Sequence, residues 1–311
     1  VWGDNSSGAT GDDSILVTTA GQSLANSSIV GGLGNDSIDV SAGNQVSSSF
    51  IQANGGDDMV TVAGTLSAST VYGGQGNDSV NLFNTVTSGL VVGGAGADSF
   101  GGSVSSTTIY GDDNTESATA GNDTLVLGTA TSAWVNAQAG SDLISVATLA
   151  TSSTLFGGQG NDTLNVNTIA TAGNKLFAGD GNDSVIAQNA SSGAIFSGGS
   201  GNDTFTMTVT GGSVIGGSGN DSFTMNTSSG AASTFFFGFG SGSDTLNVTN
   251  VTGSAGLVIA VSSSYGGTGS LSNGVLSLGS GTGSILFTGQ GATLASASFI
   301  TVSESSITNL G

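Results

Sequence analysis

Gly31-Gly32-Leu33-Gly34-Asn35-Asp36-Ser37-Ile38 returns almost letter for letter as Gly73-Gly74-Gln75-Gly76-Asn77-Asp78-Ser79-Val80, and again over 157–164, 198–205 and 216–223. Looser copies fill the intervals: Ala53-Asn54-Gly55-Gly56-Asp57-Asp58, Gly93-Gly94-Ala95-Gly96-Ala97-Asp98, Ala137-Gln138-Ala139-Gly140-Ser141-Asp142 and Ala178-Gly179-Asp180-Gly181-Asn182-Asp183. Aligned on the last aspartate, the register runs Asp13, Asp36, Asp58, Asp78, Asp98, Asp123, Asp142, Asp162, Asp183, Asp203, Asp221, Asp244. The steps range from 18 residues (Asp203 to Asp221) to 25 (Asp98 to Asp123). A phrase recurring at a nearly constant period marks a stacked-repeat architecture, in which no unit buries its apolar face alone.

After each aspartate the apolar residues alternate, as in Val80 and Leu82, Leu164 and Val166, or Phe205 and Met207. Period-two alternation is a strand with one buried face. A second short apolar run, such as Thr70-Val71-Tyr72 or Thr154-Leu155-Phe156, leads into the next glycine pair. Each coil therefore reads as strand, plain turn, strand, glycine turn. The pattern predicts an all-β solenoid over residues 1–248, a narrow roll with two strands and about 20 residues per coil, whose equivalent aspartates line one edge at about 4.8 Å intervals. Val1-Trp2-Gly3-Asp4-Asn5 and Ile109-Tyr110-Gly111-Asp112-Asp113-Asn114 each precede an enlarged turn, near 3–12 and 111–122. Residues 249–311 stay β-rich but lose the glycine turns, which predicts a C-terminal cap or the start of another domain. The opening at Val1, inside a repeat-like phrase, reads as that of a processed or excerpted piece.

Composition narrows the chemistry. The 311 residues include 55 Gly, no Pro, no Cys and no His, with one basic residue, Lys175, against 21 acidic ones, for a net charge of −20. Such a chain repels nucleic acid and anionic membrane surfaces, because only Lys175 can neutralise a phosphate. No stretch approaches the length of a membrane span. General acid–base and nucleophilic catalysis draw mainly on His, Cys, Lys and paired carboxylates, and the Asp57-Asp58 and Asp112-Asp113 pairs sit in turns. The chain reads as no enzyme.

The natural partners are cations. Glycines at three of six motif positions allow a tight turn that leaves backbone carbonyls unshielded, and an aspartate after them completes an all-oxygen set, which suits calcium rather than zinc or copper. The candidate metal residues are the twelve motif aspartates; their neighbours Asn35, Asp57, Asn77, Asn122, Asn161, Asn182, Asn202 and Asn220; the first glycines Gly31, Gly73, Gly93, Gly157, Gly198 and Gly216; and the residues between the glycines, Leu33, Gln75, Ala95, Gln159, Asp180, Ser200 and Ser218. Roughly ten Ca2+ ions, one between adjacent turns, would bring about +20 against the formal deficit.

These residues resemble the RTX, or hemolysin-type, calcium-binding nonapeptide repeat over about residues 11–248. The resemblance implies a right-handed parallel β-roll, calcium-triggered folding outside the cell, and one-step export. That family's usual coil carries the glycine motif at both turns, whereas this chain has it once per coil, so one calcium row is expected and the opposite edge is left metal-free. Bacterial surface-layer proteins and giant adhesins look similar, and so do the tails of secreted proteases and lipases. The expected function is a secreted structural protein of a surface layer, sheath or filament that self-associates, with an adhesin segment as the alternative. Ice binding is disfavoured, since the residues between the glycines form no threonine ladder.

Overall fold

The computed structural model describes residues 1, 3, 11–18, 21, 23–41, 43–113, 120–171, 173–190, 193–209, 212–227, 234–241, 244–249, 258–262, 270–272, 275–277, 284–288 and 298–302. The enlarged turns at 4–10 and 114–119, Trp2 and most of 249–311 lie outside them. The chain divides into two compact units, Val1–Thr148 with Ser153–Gln159, and Leu149–Ser152 with Gly160–Gly311. All regular elements among the described residues are strands, and the fold is the parallel β-solenoid of about 20 residues per coil, matching a right-handed β-roll.

In the first unit, one parallel sheet runs from Ser28–Leu33 through Phe50–Gly55, Thr70–Gln75, Leu90–Ala95, Thr108–Asp112 and Trp134–Ala139 to Thr154–Gln159. The other runs from Ser14–Val17 through Ser37–Val40, Met59–Val62, Ser79–Thr87 and Ser99–Ser105 to Thr124–Thr131. Each coil gives one strand to each sheet, as the alternation predicts. In the early coils the second strand is broken: Ser23–Ala25, Gln45–Ser47 and Thr65–Ser67 stack separately before joining the far half of Ser79–Thr87.

In the second unit, Lys175–Asp180, Ala194–Ser200, Gly212–Ser218, Thr234–Ser241, Val258–Ser262 and Ser298–Val302 form one parallel series. Thr163–Ile169, Ser184–Ala190, Thr204–Val209, Ser222–Thr227, Thr245–Thr249 and Ser284–Thr288 form the other. Ser270–Ser272, Val275–Ser277 and Ser284–Thr288 pair antiparallel. Beyond residue 248, strands thus continue both series and add an antiparallel meander.

Inward positions bury apolar side chains two residues apart along a strand, as with Ile38 and Val40, Val60 and Val62, Leu125 and Leu127, and Leu164 and Val166. Phe205 and Phe223, in register on adjacent strands, stack at 4.9 Å and 12°. The hydrophobic layer is therefore a column of like side chains, which holds each strand in register because a one-residue slip would expose it.

The plain turn has its own ladder. Ser48, Ala68, Ser88 and Ser106 take left-handed φ values of 47°, 45°, 53° and 48°. The next residue carries a hydroxyl in most coils: the backbone N–H of Ser27 donates to Oγ of Ser49 at 3.0 Å, and that of Ser49 to Oγ of Ser69 at 3.1 Å. Oγ of Ser69 donates in turn to the Ser67 carbonyl at 2.8 Å. Thr107 and Ser153 hold the same place for Gly89 and Ala133. Hydroxyls satisfy the buried backbone N–H groups here.

Candidate metal centre

The motif aspartates form an inward row. In the first unit the backbone N–H of each donates to Oδ1 of the aspartate one coil on: Asp13 to Asp36 at 2.8 Å, Asp36 to Asp58 at 2.6 Å, Asp58 to Asp78 at 2.8 Å, Asp78 to Asp98 at 2.7 Å, Asp98 to Asp123 at 2.8 Å and Asp123 to Asp142 at 2.7 Å. In the second unit Asp162, Asp183, Asp203 and Asp221 donate likewise to Asp183, Asp203, Asp221 and Asp244 at 2.7–2.9 Å. Asp58, Asp78, Asp98, Asp123, Asp183, Asp203 and Asp221 are at most 3 % exposed.

One oxygen of each carboxylate is thus committed, and the other is not. Oδ2 of Asp13, Asp58, Asp78, Asp98, Asp123, Asp183, Asp203 and Asp221 is buried with no hydrogen-bond donor. Burial pushes Asp98 and Asp123 up to about 8, and Asp58, Asp142 and Asp203 up to about 7; the backbone N–H each accepts pulls the other way, and neighbouring carboxylates add to the rise. Asp78, Asp183 and Asp244 rise to about 6 for the same first reason. Like charges one coil apart repel by about 3.5 kcal/mol at an effective dielectric of 20. A buried anionic row without counter-charge is untenable at neutral pH; it must take up protons or cations.

The first glycine of the motif makes room for the second outcome. A Cβ at Gly73 would fall within 3.0 Å of both Oδ2 of Asp78 and the Gly93 carbonyl of the next coil. Gly93 stands likewise against Asp98 and the Gly111 carbonyl, Gly111 against Asp123 and the Ala137 carbonyl, and Gly198 against Asp203 and the Gly216 carbonyl. A carboxylate and a carbonyl oxygen therefore converge on a space only glycine leaves open, as an oxygen-ligated cation with bonds of about 2.3–2.6 Å requires. Among the described residues no three acidic side chains gather at one point, so backbone carbonyls must supply much of any shell.

The remaining candidate residues fall in two other rows. Asn35, Asp57, Asn77, Asn122, Asn161, Asn182 and Asn202 project outward, and their Oδ1 atoms accept the backbone N–H of the next coil: Asn35 from Asp57 at 2.9 Å, Asp57 from Asn77 at 2.7 Å, Asn77 from Ala97 at 2.9 Å, Asn122 from Ser141 at 2.7 Å and Asn202 from Asn220 at 2.7 Å. This ladder runs opposite in sense to that of the aspartates beside it, and the two together close the backbone of the glycine turn. The carbonyls of Leu33, Gln75, Ala95, Gln159, Asp180, Ser200 and Ser218 each accept an N–H from the preceding coil's fourth motif position, as from Gly76 to Ala95 at 2.8 Å. The Asp180 carboxylate also accepts the Ser200 hydroxyl. The structure thus brings the aspartates and first glycines together and sets the asparagines apart on the surface.

Asp112 was not among the candidates. It replaces the second glycine, is 4 % exposed, and accepts the N–H of Gly121 at 3.2 Å through Oδ1 and of Ala139 at 3.1 Å through Oδ2. Its signal was legible as Gly111-Asp112 standing where other coils have Gly-Gly.

A model of the RTX calcium-binding nonapeptide repeat matches the chain in four copies, with residues 24–44, 61–82 and 150–167 matched. No curated protein and no solved structure matches it. Those stretches carry RTX repeats, a repeat type described as calcium-binding.

Proposed function

We propose that this RTX-repeat solenoid is a secreted structural protein that takes calcium into its aspartate row, gains rigidity from it, and self-associates into a surface layer, sheath or filament. The observation that carries the reading is the column of buried carboxylate oxygens facing glycine-lined space. Asp78, Asp98, Asp123 and Asp203, with the carbonyls of Gly93, Gly111, Ala137 and Gly216, would hold the ions. The ion supplies counter-charge and ties adjacent coils. Sites with dissociation constants near ~0.1 mM gain about 2.7 kcal/mol each at ~10 mM calcium. A single row is favoured by the hydroxyl ladder on the opposite edge. With no disulfide available, such ties are the cross-links left to an exported chain.

Adhesion is the second reading. Phe50 lies 5.5 Å from Tyr72, and Trp134 4.5 Å from Phe156, on the outward face of the first unit's glycine-bearing sheet, with Trp134 44 % exposed. Paired aromatics on a rigid surface suit a neutral partner.

Circular dichroism melts in calcium and in excess chelator test the calcium role. A midpoint at least ten degrees higher in calcium is expected; identical melts would sink it. Light scattering at ~10 mM calcium tests assembly. Growth in mass is expected, and a monodisperse monomer would leave adhesion as the better reading.

A further inference from the structure

We propose that calcium capacity differs from coil to coil and is decided by the first motif residue: glycine leaves the ion's space open, whereas Ala53, Ala137 and Ala178 fill it with a methyl group. This rests on the calcium reading above and goes beyond it, because the motif aspartates by themselves do not distinguish one coil from another.

Strand register puts the alanines in the glycine row. Val30 pairs with Gln52 and Gly32 with Asn54, so Ala53 lies beside Gly31; Gln52 pairs with Tyr72 and Asn54 with Gly74, so it also lies beside Gly73. Tyr110 pairs with Asn136, which sets Ala137 beside Gly111. Phe177 pairs with Ser197 and Gly179 with Gly199, which sets Ala178 beside Gly198. All three alanines are fully buried, at 0 % exposure, so their methyls are packed inside and do not face solvent.

At the glycines of this row a methyl is what the oxygens exclude. A Cβ on Gly93 or Gly198 would sit within 3.0 Å of the coil's own carboxylate and of the next coil's carbonyl. Contacts that short force something to move, and one of the atoms is backbone. Where alanine is native, its buried methyl stands in the row on which these oxygens close at the glycines, while Oδ2 of Asp58 and of Asp183 stays buried with no donor as in the glycine coils. Asp58 and Asp183, the aspartates of two alanine coils, keep the ladder bond through Oδ1, from Asp36 at 2.6 Å and from Asp162 at 2.7 Å. In the first unit Ala53 and Ala137 bracket an unbroken run of open positions at Gly73, Gly93 and Gly111.

Bound calcium per chain, measured by equilibrium dialysis with elemental analysis, tests this on Ala53→Gly, Ala178→Gly and the double variant, with circular dichroism reporting the fold. Each substitution is expected to add one ion, the double variant two, and Gly93→Ala is expected to remove one. Folded glycine variants that bind the same number as the parent chain overturn the proposal and leave the calcium reading standing. A parent chain that binds no calcium overturns both, which is a different result. Should Ala53→Gly not fold, Ala178→Gly in the second unit and Gly93→Ala carry the same comparison.

Discussion

The backbone N–H of Asp98 donates to Oδ1 of Asp123 at 2.8 Å, while Oδ2 of Asp123 is buried with no donor beside Gly111. One carboxylate therefore does two separable things. Its first oxygen closes a coil-to-coil bond that needs no charge, and its second, where water does not reach, must be met by a proton or a cation.

Asp123→Asn separates the two. The amide oxygen retains the Asp98 bond and needs neither proton nor cation, so in chelator at neutral pH the variant is expected to be more stable than the parent, by about 1–3 kcal/mol. In saturating calcium the order reverses, because the variant has lost a ligand. Paired thermal melts check the crossing; a variant less stable in both conditions would contradict the assigned roles.

Calcium-free stability is expected to fall as pH rises. Asp98 and Asp123 stand near 8 and Asp58, Asp142 and Asp203 near 7, all above the ordinary 3.8, so the folded chain holds more protons than the unfolded one between about pH 4 and 8. Their contribution is complete below the unfolded value and is lost as pH climbs through the folded values, with a limiting slope of about 1.4 kcal/mol per pH unit per group. Calcium competes with those protons and removes the decline. Urea melts in chelator at pH 4.5, 6 and 7.5 measure the slope; stability that rises with pH would refute it.

Ser69→Ala probes the opposite edge. It removes the acceptor of the Ser49 N–H at 3.1 Å and the donor to the Ser67 carbonyl at 2.8 Å, in a residue 2 % exposed. A loss of about 1–3 kcal/mol is expected, equal with and without calcium. A loss seen only in calcium would mean that this edge also holds ions.

Asp112→Ala leaves the N–H groups of Gly121 and Ala139 without their acceptor. Hydrogen exchange at those two amides is expected to quicken by tenfold or more, following from a lost bond of about 1.4 kcal/mol, with the distant Ser49 amide unchanged. Unaltered exchange would show that the carboxylate is not what holds that turn.

Much of this molecule is legible in its letters. The return of Gly-Gly-x-Gly-Asn-Asp at nearly constant intervals identifies a stack, and the alternation of Val80 with Leu82 or Phe205 with Met207 identifies the strands and their inward faces, because period two has a single geometric meaning in a sheet. The Asp-Ser/Thr junction also marks the edge on which acidic residues collect. Strand breaks in the early coils, between Ser37–Val40 and Gln45–Ser47, are not marked in the letters: the Asp58 and Asp78 coils have the same length, yet only the first is broken.

What tertiary stacking alone decided is the division of labour between adjacent letters. Asn77 and Asp78 are neighbours of similar size with a shared appetite for turn hydrogen bonds, yet one accepts an N–H on the surface and the other turns an unpaired oxygen inward. That difference arises from the strand beginning at Ser79, where the pleat sends successive side chains to opposite faces. Likewise, Gly73 and Ala53 look interchangeable as small residues in a turn. Only the carbonyl of the next coil, brought close by the roughly 4.8 Å strand spacing, makes one methyl group matter.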